Sequence, residues 1–181
     1  MHLSHQTVNF VDPNVFETAN AGFAQAMYEE FLRDPGAVGP EWRRLFEDKF
    51  TERAAEIDRT AEFPWDNHKV LTEAGLVGLN IPEAYGGGGA DSVTHCILVV
   101  EVARVCASTS LIPAVNKLAP LPILFAGSEE QKQRFLPPIA DGSAMASYCL
   151  TEPGSGSDAA AMRSRAVRDG DDYVLNGTKR F

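Results

Sequence analysis

The chain has 181 residues, 44% of them hydrophobic, which is enough for one ordinary domain with a sizeable core, or for one domain and part of another. Sixteen Lys and Arg against 25 Asp and Glu give a formal net charge of −9. This acidic balance, without Lys/Arg clusters, argues against unspecific nucleic-acid binding, although a local loop can still bind a small anion.

The chain has three cysteines, Cys96, Cys106 and Cys149, and no CxxC spacing. The odd number and the spacing argue against a disulfide framework and a metal site, so we expect buried, reduced thiols in a cytoplasmic protein. The apolar run around residues 96–106 is short and is interrupted by two charges, which argues against a membrane span. The N-terminus lacks the basic region and apolar core of a secretory signal. We therefore expect no metal, no membrane partner and no nucleic acid.

The first 50 residues are predicted to form a flexible arm over residues 1–14 and a helical hairpin over residues 15–50. Apolar residues recur there at helical spacing, and Asp34-Pro35-Gly36 interrupts them. The resulting stripe predicts packing into a core, and an exposed docking face for a partner is the alternative. It consists of Phe23, Met27 and Phe31 in the first helix and Trp42, Leu45, Phe46 and Phe50 in a second, short helix.

Residues 51–142 are predicted to form a helical domain. A helix that begins at Asp91 or Ser92 is apolar on nearly every side, which predicts a central, buried helix. Its interior charges, Glu101 and Arg104, lie at i, i+3 and are spaced to form an ion pair. The run Ser128-Glu129-Glu130-Gln131 is a capping box that begins the last helix of this domain.

Residues 143–181 are predicted to be a β portion. A strand is expected over residues 144–150, and weak alternation over residues 162–167 and 173–175 predicts two more. Asp169-Gly170 predicts a turn, and Asn176-Gly177 is typical of a type I′ hairpin. The predicted fold class is therefore mainly α with a C-terminal β portion (α+β).

The stretch from Tyr148 to Asp158 lies where the helical pattern gives way to strands. Pro153, Gly154 and Gly156 exclude regular structure, and the two glycines allow positive φ and close approach by a ligand. Such a turn can form a nest of N–H groups that binds a phosphate, and a solvated turn is the alternative. A dinucleotide fingerprint is a weaker alternative, because the acidic residue expected about 20 positions further on is replaced by Thr178.

This stretch resembles the signature of the acyl-CoA dehydrogenases, flavoenzymes of fatty-acid and branched-chain oxidation. Three further segments resemble the same family, and together they cover about residues 53–181. The four matching segments are Ile81–Gly87 (IPEAYGG), Glu129–Pro137 (EEQKQRFLP), Leu150–Asp158 (LTEPGSGSD) and Asp171–Lys179 (DDYVLNGTK). The resemblance implies a helical N-terminal domain (51–142) followed by an incomplete middle β-barrel (143–181). It implies FAD as cofactor and acyl-CoA as substrate. For the full-length family it also implies electron-transfer flavoprotein as a partner and a homo-oligomer.

The resemblance also implies roles for individual residues. Leu150 would lie against the flavin, the Thr151 hydroxyl would hydrogen-bond it, and Ser157 would contact both FAD and acyl-CoA. Phe181 stands where the family has an aromatic residue near the flavin. The implied cofactor-binding residues are Tyr148, Cys149, Leu150, Thr151, Gly154, Gly156, Ser157 and Phe181, with Ser157 also binding substrate. No catalytic residue is assigned, because the family's base is expected beyond residue 181, and we expect these 181 residues to be inactive by themselves.

Residues of about 15–48 resemble a different family, the N-terminal segment of the E1 component of 2-oxoglutarate dehydrogenase. The resemblance rests on Ala24–Pro35 and Glu41–Phe46. It implies an alternative function, an interaction module that docks to a 2-oxoacid dehydrogenase complex. The two resemblances meet near residues 50–53 without a linker, so we interpret the chain as a hybrid, either a natural fusion or a joining artefact.

Overall fold

The computed structural model of the chain describes residues 29–30, 32–34 and 40–180. The predicted arm, most of the first hairpin helix and Phe181 lie outside the described residues. The long helices and strands are α1 Pro40–Thr60, α2 Trp65–Glu73, α3 Ser92–Val105, α4 Ala107–Leu118, α5 Leu121–Ala126, α6 Glu129–Ala140, β1 Arg165–Asp169 and β2 Asp172–Asn176. Short 3-10 turns cover Glu83–Tyr85 and Ala159–Ala161. The predicted α+β class, a helical domain followed by an incomplete β portion, is confirmed.

Helix α1 is continuous across the point where the two resemblances meet. Phe46, Phe50 and Ile57 lie on one face and are buried, and the two phenylalanine rings stack at 5.4 Å. The expectation that this helix is short and ends near Phe50 is therefore wrong. The apolar face continues to Ile57 and no Pro or Gly interrupts it, so the helix propagates to Thr60. The division of the chain into domains at residue 50 stays a prediction.

The main core forms where α1 packs on α2, α3 and α4. The apolar stripe of the second predicted hairpin helix belongs to this core, with Phe46 and Phe50 fully buried and Trp42 packed beside them. The other members of the buried cluster are Ile57, Leu71, Leu76, Val77, Leu98, Val102, Cys106 and Ile112. In the described residues, the stripe is thus core rather than a free docking face.

Helix α3 is central, as predicted, but it is buried on one side only. Asp91 caps its N-terminus by accepting a 2.8 Å hydrogen bond from the Thr94 N–H. Leu98 and Val102 enter the core, whereas Val100 is 49% exposed. The sequence of α3, which is apolar on nearly every side, therefore predicts more burial than the structure shows.

A buried ion pair joins α1 to α3. The Glu101 side chain is 2% exposed and accepts hydrogen bonds from Arg43 Nε and Nη2 at 2.9 and 2.8 Å. The predicted Arg104 partner is present as well, at 3.3 Å, and Arg104 also reaches Glu47 at 2.8 Å. The Arg43 hydrogen bonds lower the pKa of Glu101, and the same contact raises the pKa of Arg43. The carboxylate is therefore charged and paired across the junction of the two helices.

A second, smaller core holds α6. Ile81, Leu136, Ile139 and Ala140 are buried together. The predicted capping box is present, with Ser128 and Gln131 exchanging side-chain-to-backbone hydrogen bonds at 2.8 and 3.2 Å. This core fixes the end of α6, from which the chain leads into the predicted site.

The β portion consists of one antiparallel hairpin, with Arg165 opposite Asn176 and Asp169 opposite Asp172. Its turn is Gly170-Asp171, with Gly170 at φ +61°. The turn expected at Asn176-Gly177 is not formed, and Asn176 is simply the last residue of β2. Residues 144–150 are not a strand either, because a strand needs a hydrogen-bonded neighbour and none of the described residues pairs with them.

One stretch of the described chain is long and apolar enough to cross a membrane by length and composition, namely Ala107–Ala126, with a mean hydropathy of 1.3. It comprises α4 and α5, and 39% of it is buried inside the fold. Core helices pass the same test, so this single stretch is weak ground for a membrane assignment.

Replacing Arg43 with Met should lower the free energy of unfolding by about 3 kcal/mol, because it leaves the buried Glu101 carboxylate without its main partner. Urea unfolding followed by circular dichroism measures the change. Arg53→Met is the matched control, since its pair with Asp66 lies at the surface and should change stability by less than about 1 kcal/mol. Equal losses in both variants would contradict a special role for the buried pair.

Replacing Ala61 with Gly should raise the free energy of unfolding by up to about 1 kcal/mol. Ala61 follows the last residue of α1 with φ +54°, and its N–H caps the Ile57 carbonyl at 3.0 Å. Gly75, the second residue after α2, also has a left-handed backbone, with φ +70°, and as a glycine it carries no Cβ to be strained. Ala74→Gly is the control, because Ala74 is right-handed at φ −83° and gains nothing from glycine. A loss of stability in Ala61→Gly would contradict the prediction.

Candidate functional site

The stretch that the sequence singles out forms a tight turn, here called the Pro-Gly loop (residues 150–158). The Glu152 N–H donates to the Ser155 carbonyl at 2.9 Å, and the Ser155 N–H donates to the Glu152 carbonyl at 3.1 Å. The Ser155 hydroxyl then donates to the Asp158 carbonyl at 2.8 Å. Pro153 and Gly154 are the two central residues of the turn. The N–H that Pro153 lacks is not needed for the hydrogen bonds of the turn.

The predicted phosphate nest is not present in this conformation. A nest alternates right- and left-handed residues, and neither Gly154 nor Gly156 has a positive φ. A Cβ at either glycine would meet nothing within 4 Å, so contacts inside the chain do not explain these glycines. Close approach of a ligand to this open backbone stays a prediction.

Glu152 anchors the Pro-Gly loop through hydrogen bonds to its carboxylate. It is 7% exposed, and its carboxylate accepts hydrogen bonds from the Arg163 N–H at 2.7 Å and the Ser164 N–H at 3.1 Å. The Lys179 ammonium donates to the same carboxylate at 2.9 Å. Hydrogen bonding from Ser164, then from the Arg163 N–H and Lys179, lowers the pKa of Glu152 to about 2. The group is a buried anion that holds three chain segments together.

A cleft of about 640 Å³, here called the loop cleft, opens beside the loop. Its lining residues are Leu118, Tyr148, Leu150, Thr151 and Arg180. Three of the predicted cofactor residues, Tyr148, Leu150 and Thr151, therefore lie together at one cavity. Arg180 is fixed there by its N–H, which donates to the Thr151 carbonyl at 2.9 Å.

The other predicted site residues do not line this cleft. Gly154, Gly156 and Ser157 are exposed further along the loop, and Cys149 is exposed as well. The expectation of buried thiols holds for Cys106 only, because in the described residues no second layer covers the extended segment that carries Cys149. Phe181 lies outside the described residues.

An apolar groove of about 390 Å³, here called the α4 groove, lies along α4. Leu111, Val115 and Leu118 lie at i, i+4 and i+7 on one face of α4, so that face connects the groove to the loop cleft. The apolar residues of the groove include Ile57, Phe63, Leu111, Ile112, Val115 and Met145. An apolar ligand can therefore lie along α4 and reach the loop cleft.

The titratable groups of the helical domain do not form a reaction centre. His68 and His95 are buried, and burial lowers the pKa of both, that of His95 to about 4 with Lys117 contributing. Neither lines the loop cleft or the α4 groove. Among the described residues, no group of three or more His, Cys, Asp or Glu could hold a metal ion. The described lining of the loop cleft has no carboxylate, and the one carboxylate residue that lines the α4 groove is Glu62.

Sequence reasoning missed the residues that shape the site. Glu152 and Lys179 stand inside the matching motifs, yet their contact spans 27 positions and no local pattern predicts it. Arg180 and Leu118 carry no motif signal at all. The sequence offers one usable clue. Successive side chains of an extended segment point to opposite sides, so Lys179 and Arg180 must face different surroundings.

Two family models match the chain. The model of the acyl-CoA dehydrogenase N-terminal domain matches residues 37–143, and that of the 2-oxoglutarate dehydrogenase N-terminus matches residues 14–49. Since the first covers more than half of it, the chain belongs to the acyl-CoA dehydrogenase family. That match begins well before residue 53. The two matches overlap over residues 37–49, and the part of the overlap from residue 40 onward lies in the unbroken helix α1.

Individual proteins agree with the family assignment. The probable acyl-CoA dehydrogenase fadE25 of Mycobacterium leprae is 52% identical over 137 residues, which are 76% of this chain and 35% of that protein. The structure of butyryl-CoA dehydrogenase from Megasphaera elsdenii matches with a TM-score of 0.68 and 29% identity, over 77% of this chain and 39% of that one. A chain in the structure of the electron transferring flavoprotein of Acidaminococcus fermentans matches with a TM-score of 0.69 and 33% identity, over 93% and 40%. The chain thus spans about a third of the length of the curated relatives it matches.

The Pro-Gly loop should resist acid until about pH 2. The pKa of Glu152 is depressed from its ordinary value of 4.5, so its stabilising contacts are fully present above about pH 4.5 and are lost as the pH falls through about 2. Amide NMR shifts of Arg163 and Ser164 during an acid titration report the transition. Glu152→Gln should abolish it, and a wild-type midpoint near 4.5 would contradict the pairing.

Proposed function

We propose that the chain is the N-terminal part of an FAD-dependent acyl-CoA dehydrogenase that oxidises acyl-CoA thioesters between the α and β carbons. The observation that carries the proposal is the loop cleft, where Tyr148, Leu150 and Thr151 meet beside the α4 groove. The family assignment supports the reaction class. Fatty-acid oxidation is the proposed setting, and the cytoplasm is the proposed location.

The residues of the loop cleft fit a flavin. Leu150 and Leu118 offer an apolar wall for a flat ring, the Thr151 hydroxyl can donate to or accept from the polar edge, and the Arg180 guanidinium supplies positive charge. FAD, when bound, supplies the acceptor for the β hydride of the substrate. Gly154 and Gly156 leave backbone open to the diphosphate. Ser157 is proposed to contact both cofactor and substrate, as the family resemblance implies.

The α4 groove fits the acyl part of an acyl-CoA. Leu111 and Val115 are exposed on α4 and face Met145 and Phe63 across the groove, so an acyl chain would bury their apolar surface. The described residues place no carboxylate in the loop cleft to remove the α proton. The base is therefore proposed to come from a part of the protein beyond residue 181, and we assign no catalytic residue here.

Electron-transfer flavoprotein is the proposed redox partner of the whole protein, and the matching chain in a structure of such a flavoprotein supports the assignment. A homo-oligomer is likewise proposed for the full-length protein.

The alternative function, docking to a 2-oxoacid dehydrogenase complex, is favoured by the second family match at residues 14–49. In the described part of that segment, however, Phe46 and Arg43 are engaged in the core and the buried ion pair. Capture of the chain by the acyltransferase core of such a complex, lost on removal of residues 1–34, would support docking. Absence of capture would remove the alternative.

Flavin binding tests the main proposal. The 181-residue chain, titrated with FAD and followed by flavin fluorescence, should bind it, and Thr151→Ala should weaken the affinity about tenfold by deleting the hydroxyl. Thr60→Ala is the matched control, because the Thr60 hydroxyl bonds the Glu56 carbonyl and the Glu62 N–H, and none of these residues lines the loop cleft. Equal affinities in wild type and Thr151→Ala would contradict the role of Thr151.

The isolated chain should show no dye-reduction activity with any acyl-CoA, because no carboxylate lines the described loop cleft, where the α proton would be removed. The assay uses excess FAD and acyl-CoAs from C4 to C16. Turnover above the rate of free FAD would contradict the prediction and would place a base within these 181 residues.

A further inference from the structure

We propose that Glu152 and Lys179 are positioning residues that lock Leu150 and Thr151 into the wall of the loop cleft. This inference rests on the proposed function, since it assigns the lock to the proposed flavin site. Neither residue lines the cleft itself. Their effect on a ligand would therefore pass through the backbone of the two residues that do.

Lys179 holds the wall of the loop cleft by a hydrogen bond to its backbone. Its ammonium donates to the Leu150 carbonyl at 3.1 Å and to Glu152 Oε1 at 2.9 Å, and it approaches Met162 Sδ at 3.7 Å. The Lys179 side chain is 29% exposed, so these charge-assisted bonds are partly shielded from water. One cation thus fixes the peptide that links Leu150 to Thr151.

Glu152 provides the fixed point to which Lys179 is tied. Its carboxylate is held by the N–H groups of Arg163 and Ser164, which lead directly into β1. The Glu152–Ser155 turn then fixes the chain that follows Thr151. The Glu152 carboxylate and the Lys179 ammonium therefore connect the backbone of Leu150 and Thr151 to the β1–β2 hairpin by hydrogen bonds instead of by apolar packing.

The neighbouring residue shows why this arrangement serves the cleft. In the extended segment after β2, Lys179 points to Glu152, whereas Arg180 lines the cleft. The Arg180 N–H also bonds the Thr151 carbonyl at 2.9 Å. The Glu152–Lys179 pair, here called the lock, therefore sets the position of Arg180 as well. The Arg180 guanidinium is the positive group of the loop cleft.

The lock is separate from the two apolar cores. Glu152 and Lys179 belong to neither the main cluster around Phe46 nor the smaller one around Leu136. Breaking the lock should therefore loosen the cleft without unfolding the helical domain. A merely structural pair would instead change the melting temperature.

The test compares Lys179→Met and Glu152→Gln with the matched control Lys69→Met in the 181-residue chain. Lys69 forms an exposed pair with Glu73 on α2, so the control removes the same kind of contact at a solvated site. Hydrogen exchange of the Arg163, Ser164 and Arg180 amides measures the order of the wall. FAD titration measures its consequence, and thermal melting of the helical signal monitors the core.

Lys179→Met and Glu152→Gln should each speed exchange of these amides about tenfold or more and raise the Kd for FAD about tenfold, with the melting temperature unchanged. The double variant should be no worse than the poorer single one, because the two groups act as a unit. Lys69→Met should change nothing. Unchanged exchange in Lys179→Met would overturn the lock, as would faster exchange with unchanged FAD affinity. A wild-type chain that shows the exchange pattern but binds no FAD would overturn the proposed function instead, and the lock would stand.

Discussion

The helical domain depends on the ion pair between Arg43 and Glu101. A carboxylate that is 2% exposed cannot remain charged in a core unless it is paired and fully hydrogen-bonded. Arg43 supplies two hydrogen bonds from α1, and Arg104 closes the remaining side from the same helix as Glu101. This requirement fixes the rotation of α1 about its axis, because only one register presents both Arg43 to Glu101 and Phe46 and Phe50 to the core. The other helices pack on the surface that results.

The ion pair also bears on the region where the two family matches overlap. Arg43 belongs to the region where the two family matches overlap, and Glu101 belongs to the acyl-CoA dehydrogenase match alone. Helix α1, in which the two matches overlap, contributes buried residues on both sides of residue 50. It can do so because its apolar face keeps its phase, with Phe46, Phe50 and Ile57 on one side of the helix.

Local signals in the sequence predicted local features well. Asp91 and Ser128 both cap helices as expected, because a cap depends on residues three positions away. Contacts between distant residues were not predictable in this way. The partnership of Glu101 with Arg43 spans 58 positions, and the Lys179–Glu152 contact spans 27. The strand expected at residues 144–150 failed for a related reason, since strand formation depends on a partner and not on composition alone. Three cofactor residues inferred from the family signature nevertheless meet at one cavity, because a contiguous motif on an extended segment carries its own geometry.

The β1–β2 hairpin has a consequence for how the chain behaves at high concentration. In the described residues, both strands have an unpaired outer edge, and every residue of the two strands is exposed, Leu175 to 78%. A hairpin with open N–H and C=O groups is a template for edge-to-edge pairing with a second chain. The charged residues within the strands, Arg165 and Arg168 in β1 and Asp172 in β2, oppose such pairing. Self-association of this chain should therefore increase as salt screens those charges. At low salt, the charged side chains of the two strands keep the chains apart.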